Sequence, residues 1–576
     1  MTAFAQPLPF GATVLGNGRA RFRLWAPQQE RVAVVIEDGA AQPMSAQGDG
    51  WFALETHCPP GGRYIYRLGS SRDVPDPASR GQANDVHGPS LVIDPAAYRW
   101  RHPDWKGRPW EETVLYEVHV GLYGGFAGLQ EELPRLAALG VTAIELMPLN
   151  DFSGQRNWGY DGVLPFAPDR AYGTPGELKA LIDRAHELRL MMFLDVVYNH
   201  FGPEGNYLGL YAPQFFRQDV HTPWGVAIDF RQPAVGRFFV ENALYWLMEY
   251  RFDGLRFDAV HAIDDKAWLD EMATEIRRTV EDGRHVHLVL EHDGNEASHL
   301  RQAYDAQWND DAHHVLHVML TGERSGYYGD YATGSAEKLA RCLSEGFVYQ
   351  GEASLYRKGQ PRGTPCTDLL PTAFVLFLQN HDQIGNRPFG DRLTTLADAD
   401  ALRAAIALQL LGPQIPLLFM GEERFVQTPF QFFTDYHGTL ADAVREGRKR
   451  EFAAFSGFGH KDIPDPNALE TFECCRLDGS GDESFYRTAL RLRHELIVPR
   501  LPGTRSLDAR VLGPSTVLAR WRLGDGATLS IGINLGDAAV PLACPSGRLV
   551  LETRKTALAD GALAARATVV FIEDAE

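Results

Sequence analysis

The sequence predicts an α/β chain: a (β/α)8 barrel with an all-β domain on either side. Three observations predict it. Alternating apolar and polar runs, broken by turn residues, fill the first hundred residues. Alternation returns after about residue 498. Between these regions, eight continuous apolar runs are interleaved with segments of helical period. Alternation marks strands buried on one face, and continuous apolar runs mark strands buried on both, as in a parallel sheet. At 576 residues the chain has room for several domains, or for one large barrel with additions.

The N-terminal region is read first. Arg21-Phe22-Arg23-Leu24-Trp25 alternates, and runs at 32–37 (VAVVIE), 51–56 (WFALET) and 63–68 (RYIYRL) follow between clusters of Gly, Pro and Asp. This spacing predicts a β-sandwich over residues 1–98. Residues 99–110, with two prolines and three tryptophans, read as a linker into a barrel spanning 99–497. Its expected strands are 114–120, 143–149, 192–198, 254–260, 286–292, 305–308, 374–380 and 415–420, of which 305–308 (DAQW) is the weakest. Among the intervening helices, Thr174-Pro175-Gly176-Glu177 is a capping box with proline at the first helical position. Leu178, Leu181, Ile182 and Ala185 then follow at helical spacing. A doubly wound sheet is the competing architecture, but no G-x-G-x-x-G follows the first run. In the last region Val517, Ala519, Trp521 and Leu523 alternate with Arg520 and Arg522. With runs at 528–533, 548–552 and 567–572, this predicts a C-terminal antiparallel β-domain over 498–576.

Composition narrows the function. A net charge of −19 argues against a nucleic-acid or anionic-membrane partner and favours a neutral substrate. The N-terminus lacks a basic segment followed by an apolar run, and the most apolar stretch, 402–420, is broken by Arg403, Gly412, Pro413 and Pro416. Neither a secretory signal nor a membrane span is expected. The six cysteines, 58, 342, 366, 474, 475 and 544, form no C-x-x-C pair, so reduced thiols in a cytoplasmic protein are expected. The oligomeric state stays open.

In a barrel, chemistry sits at the C-terminal ends of the strands. Here those ends carry Asp195 to His200, Arg256, Asp258 and His261, then Glu291-His292-Asp293, and Asn380-His381-Asp382. Arg256 and Asp258 share one strand face, so the cation would hold Asp258 ionised. Glu291, following an apolar run, is the better general acid. Paired carboxylates flanking a bond are what glycoside hydrolysis requires. A metal site of Asp and His is the alternative.

The segments DVVYNH (195–200), GLRFDAVHAI (254–263), LVLEHDGN (288–295) and QNHDQIGN (379–386) resemble the four signature regions of the α-amylase family of glycoside hydrolases. The resemblance implies Asp258 as nucleophile, Glu291 as general acid/base and Asp382 as the residue that distorts the bound sugar. It implies that Arg256 orients the nucleophile, that His200 and His381 contact the sugar at subsite −1, and that Tyr160 stacks on it. Trp158, His261, Asn380, Gln383 and Asn386 join these as substrate-binding positions. FRLWAP (22–27) looks like the immunoglobulin-like, carbohydrate-binding type of sandwich shared by branching, debranching and trehalose-releasing members. Within the family, 195–208, 308–314, 379–393, 428–436 and 447–458 are similar to the members that release trehalose from maltooligosyltrehalose, which implies that α-1,4-glucan as substrate. Asp310, Asp311, His313 and His314 would then lie near the substrate. A glycogen branching enzyme and a catalytically silent glucan-binding homologue are the rival readings. His313, His314 and His317 match no established ligand spacing. Asn199 stands where some α-amylases help bind calcium. No metal and no cofactor are expected.

Overall fold

The structure, a computed structural model of the chain, describes residues 2–69, 72–453 and 463–575. The N-terminal region forms two antiparallel sheets. One joins Gly11–Gly16, Arg19–Trp25, Trp51–His57 and Ser45–Gly48; the other centres on Val32–Ile36 and Arg63–Leu68. Alternation decides what faces inward: Phe22 is buried between Arg21 and Arg23, and Leu24 between Arg23 and Trp25. Phe22 meets Tyr64 of the second sheet at 4.8 Å between ring centroids.

The central region is a closed barrel of eight parallel strands. They are Leu115–Val118, Ala143–Leu146, Met191–Val196, Gly254–Phe257, His287–Leu290, Ala306–Trp308, Phe374–Phe377 and Ile415–Phe419, the last pairing with the first. Each expected run supplies one strand, including the short DAQW segment. The doubly wound alternative is therefore set aside. Inward positions alternate along each strand. Leu115, Ala143, Phe193, Val289, Ala306, Trp308, Val375 and Leu417 belong to one apolar cluster. Gly254 is required at its place, since a Cβ there would lie 2.1 Å from the Phe193 ring.

The helix Pro175–Glu187 has the expected capping box, with Thr174 and Glu177 bonding reciprocally, and buries Leu178, Leu181, Ile182 and Ala185. Its Asp183 anchors the linker: Oδ2 accepts from Tyr98 Oη and Arg101 N, both at 2.9 Å, and Oδ1 accepts from His102 N at 3.0 Å. The C-terminal region is a five-stranded antiparallel sheet, Arg505–Gly513, Thr516–Arg522, Thr528–Asn534, Ala567–Glu573 and Arg548–Glu552 in spatial order, with a smaller three-stranded sheet beside it. No helix among the described residues is long and apolar enough to cross a membrane.

Candidate active site

Moving along the inward face toward the strands' C-terminal ends, the side chains change from apolar to charged. Period two carries Leu115 to Glu117, Ala143 to Glu145, Phe193 to Asp195, Gly254 to Arg256 and Asp258, and Val289 to Glu291. The apolar layers below form a low-dielectric floor, and Arg256 is the hub above it. Its guanidinium lies 4.3 Å over the Trp308 ring. Nη1 donates to Asp195 Oδ2 at 2.6 Å and to Asp258 Oδ1 at 2.8 Å, and Nη2 donates to Glu291 Oε2 at 2.8 Å.

The two key carboxyls are held differently. Asp258 Oδ2 also accepts from Asn199 Nδ2 at 2.8 Å. Burial opposes its ionisation, but Arg256, then His200 and Asn199, outweigh burial and hold its pKa below the usual carboxylate value. Glu291 uses one oxygen for both its bonds: Oε2 accepts from Arg256 and from Ala259 N at 2.9 Å. Ala259 is in the left-handed region, with φ of 41°, a conformation that L-residues seldom adopt and that aims its N–H at Glu291. Glu291 Oε1 is left to carry a proton. Burial raises the Glu291 pKa well above its ordinary value; Arg256 works against this, and Asp258, Asp310 and Asp382 reinforce it. One guanidinium thus binds an anion and an acid side by side.

The surroundings complete a pocket. Tyr160 Oη donates to Asp195 Oδ2 at 2.6 Å, and the Tyr160 ring stacks on His381 at 5.0 Å. His381 N donates to Glu117 Oε2 at 2.9 Å while its Nδ1 pairs with Glu117 Oε1. Burial alone would lower the His381 pKa, but Glu117 and Asp382 raise it. Asp382 Oδ1 accepts from Asn386 Nδ2 at 2.5 Å. Asn380 Oδ1 caps the short helix that begins at His381, accepting from Gln383 N at 2.8 Å. Gln383 Oε1 accepts from Tyr327 Oη at 3.4 Å. His200 sits beside Asp258, its Nδ1 paired with Asn199 Oδ1, and His261 stands at the exposed edge.

The remaining expected residues divide. Asp310 is partly open to the cleft, and its carboxyl, with no hydrogen-bond partner among the described residues, is pushed to about 7 by burial and neighbouring acids against the pull of Arg362. Asp311 points the other way, into the protein. It is 0% exposed, and its oxygens accept from Asn295 Nδ2, Val348 N, Tyr349 N, Tyr331 Oη and Arg362 Nη1. His313 is also interior, bonded to Leu378 O at 2.9 Å and stacked on Phe377. His314 is buried among Tyr327, Tyr328 and Tyr331. Trp158 supports the site from behind. Its Nε1 donates to Gln431 O at 3.0 Å, and its ring lies between Phe430 and His381. In these four positions the hydrogen-bonding capacity is already spent within the protein, or the ring is enclosed by others. His317 is paired with Glu323, so the three neighbouring histidines do not converge. Of the segment 447–458, residues 454–458 lie outside the described residues.

Three residues that shape the site carry roles that the sequence did not assign to them. Glu117 fixes His381, Asp195 shares the guanidinium, and Asn199 bonds Asp258. The period-two register of the strand ends was the available signal for the first two. Trp224, 46% exposed, stacks on His200 at 5.4 Å and 13° and presents an aromatic face at the rim.

Comparison with known proteins bears on this geometry. Residues 79–211 match the model "Alpha amylase, catalytic domain", and 504–571 match a domain of unknown function, DUF3459. The chain is 42% identical to a malto-oligosyltrehalose trehalohydrolase of Deinococcus radiodurans, over 94% of this chain and 93% of that protein. It is 38% identical to the protein of that name from Saccharolobus solfataricus, over 82% and 85%. A crystal structure from Salmonella typhimurium, described as an alpha amylase, superposes with a TM-score of 0.93 at 44% identity, covering 98% of this chain and all of that one. The chain belongs to the malto-oligosyltrehalose trehalohydrolase family, within the α-amylase-type glycoside hydrolases.

Proposed function

We propose that the chain hydrolyses the α-1,4-glucosidic bond next to the terminal trehalose of maltooligosyltrehalose, with retention of configuration, through Asp258 and Glu291. The observation that carries this reading is the single Arg256 guanidinium, which binds both carboxyls on adjacent nitrogens while their pKa values are driven apart. A retaining enzyme needs its two carboxyls about 5–5.5 Å apart, one ionised and one protonated. Sharing one guanidinium supports that spacing.

Asp258 attacks the anomeric carbon of the maltooligosyl unit while Glu291 gives its proton to the glycosidic oxygen, which leaves as a trehalose hydroxyl. Water, deprotonated by the Glu291 carboxylate, then attacks the glycosyl ester. The ester bond breaks, Asp258 is freed, and Glu291 regains its proton. The charge that develops on the sugar ring in each step meets Asp258 and Asp382, and Tyr160 offers that ring a stacking face.

Beyond Asp382 lies a cavity of about 400 Å³ lined by Tyr327, Tyr328, Tyr356, Gln383, Asn386 and Arg387, with others. Aromatic faces beside amide and guanidinium groups suit a neutral disaccharide, so we assign this cavity to the departing trehalose. We read the chain as three units, 1–98, 99–497 and 498–576, in a cytoplasmic setting that suits its six free cysteines.

Product analysis on maltooligosyltrehalose, beside a plain maltooligosaccharide of equal length, tests the reading. Free trehalose is expected as the main product, with slower cleavage of the plain chain. Transfer to branched products instead would overturn it. Asp258→Asn is expected to keep the fold and lose at least ~10⁴-fold in kcat. Activity within tenfold of wild type would remove Asp258 from its role.

A further inference from the structure

We propose that His292, Glu296 and His299 form a binding site for a divalent transition-metal ion, zinc being the best match, on the loop that follows Glu291. One ligand-capable atom from each of the three lies within 4.8 Å of the others. The spacing His-x3-Glu-x2-His gathers them within eight residues of one loop. Two imidazoles and a carboxylate, with a fourth position left to water, is a set that holds zinc in proteins. Imidazole also suits nickel and cobalt, whereas calcium and magnesium take mostly oxygen ligands.

The state of the side chains points to a ligand rather than to packed histidines. His299 is 2% exposed; its Nδ1 pairs with Asp270 Oδ1 at 2.7 Å, and its buried Nε2 has no hydrogen-bond partner among the described residues. A carboxylate behind Nδ1 fixes the Nδ1–H tautomer and leaves the Nε2 lone pair for the cluster. This is the outer support that metal-bound histidines use. A buried ring nitrogen without a partner otherwise has no return for its desolvation. His292 is nearly as deep, with Nε2 3.9 Å from Glu296 Oε2, so a small contraction brings both to an ion.

Binding has an accountable cost. Gly294 N–H donates to His292 Nδ1 at 3.0 Å, and Lys266 Nζ pairs with Glu296. Ligation through His292 Nε2 moves that ring's proton to Nδ1 and gives up the Gly294 bond. It also displaces Lys266, which is more than half exposed and turns to solvent. The ion takes the place of both interactions and ties the 292–299 loop, through His299 and Asp270, to the helix Lys266–Thr279.

Full-length protein stripped with a chelator, then titrated with Zn²⁺ and with Co²⁺ as a coloured substitute, tests the site. One equivalent per chain is expected, with Co²⁺ d–d bands and without the thiolate charge-transfer bands that Cys474 and Cys475 would give. Zn²⁺ is expected to raise the apparent Tm. His299→Ala is expected to remove that equivalent, Glu296→Gln to weaken it at least tenfold, and Lys266→Met to tighten it severalfold. His221→Ala, at an exposed histidine, is expected to change nothing. Far-ultraviolet circular dichroism of each variant in chelator separates loss of metal from loss of fold. Undiminished binding in both His299→Ala and Glu296→Gln, no binding to the wild type, or a thiolate-dominated Co²⁺ spectrum overturns the proposal.

Discussion

At the scale of single residues, the site works by dividing one buried charge balance between two carboxyls. Asp258 takes the cation and stays ionised, while Glu291 takes the desolvation and stays protonated. Asp310 belongs to the second half of that division. Its carboxyl makes no hydrogen bond among the described residues, yet its charge is among those that raise Glu291. The sign follows directly. Glu291 acts while protonated, so activity falls as pH rises through its pKa. Removing a neighbouring negative charge lowers that pKa, and the alkaline limb of kcat/KM moves to lower pH. Asp310→Asn is therefore expected to bring the limb down by up to about one unit, which corresponds to ~1.4 kcal/mol of repulsion. A pH–rate profile in chelator-containing buffer checks this; an unmoved or raised limb would sink the assignment. The 310–314 run also shows what a motif conceals. It lies on the helix Asp310–Thr321, where positions four apart share a face and adjacent positions do not. Asp310 can meet the cleft, whereas Asp311 turns inward to five donors. A resemblance that named the run could not separate them, but helical period could.

At the scale of elements, the barrel was legible because its strands are buried on both faces, which leaves continuous apolar runs. Even DAQW is a strand, since Ala306 and Trp308 face inward and Gln307 Nε2 bonds the His292 carbonyl. What stayed hidden are bonds between strand ends far apart in sequence, such as Glu117 to His381, 264 residues apart. No local period records such a pair. The linker was legible as a linker but not as a clamp. Asp183, from the capped helix, collects donors from Tyr98, Arg101 and His102. Burial opposes its ionisation, but those donors hold its pKa below the usual value. Such a carboxylate stabilises the fold above its unfolded pKa of about 3.9, and loses that stabilisation as pH falls through the folded value. Asp183→Ala is expected to cost ~2 kcal/mol near neutrality by leaving donors unpaired. The gap in apparent Tm between wild type and variant should narrow as pH falls below about 4. Thermal scans from pH 7 to pH 3 measure it, and a gap that widens toward acid would contradict the clamp.

At the scale of the whole molecule, the C-terminal sheet is a wall of the barrel and not an appendage. The helices Ser335–Glu345 and Ala399–Leu411 pack on it, and its Trp521, Leu529, Ile531 and Ile533 belong to the same apolar core as the barrel's outer residues. Trp521 is 0% exposed and donates from Nε1 to Leu343 O at 3.1 Å. Thr568 Oγ1 donates to Ala404 O at 2.8 Å. Removing the sheet would bare the faces of both helices. Each large apolar side chain so uncovered costs about 1.5–3 kcal/mol, and a folded domain holds only about 5–15 kcal/mol in reserve. A chain ending at Gly503 is therefore expected to be insoluble and to release no trehalose, although every catalytic carboxyl remains in it. Trp521→Ala asks the same question more gently. It is expected to cost ~3–5 kcal/mol and to lower the apparent Tm while leaving KM near wild type, because the active site lies at the strands' C-terminal ends and not under this wall. Soluble yield, thermal scans and trehalose release on the two proteins check both statements. A soluble, active truncation would make the sheet dispensable, and the barrel's helices would have to find their cover elsewhere.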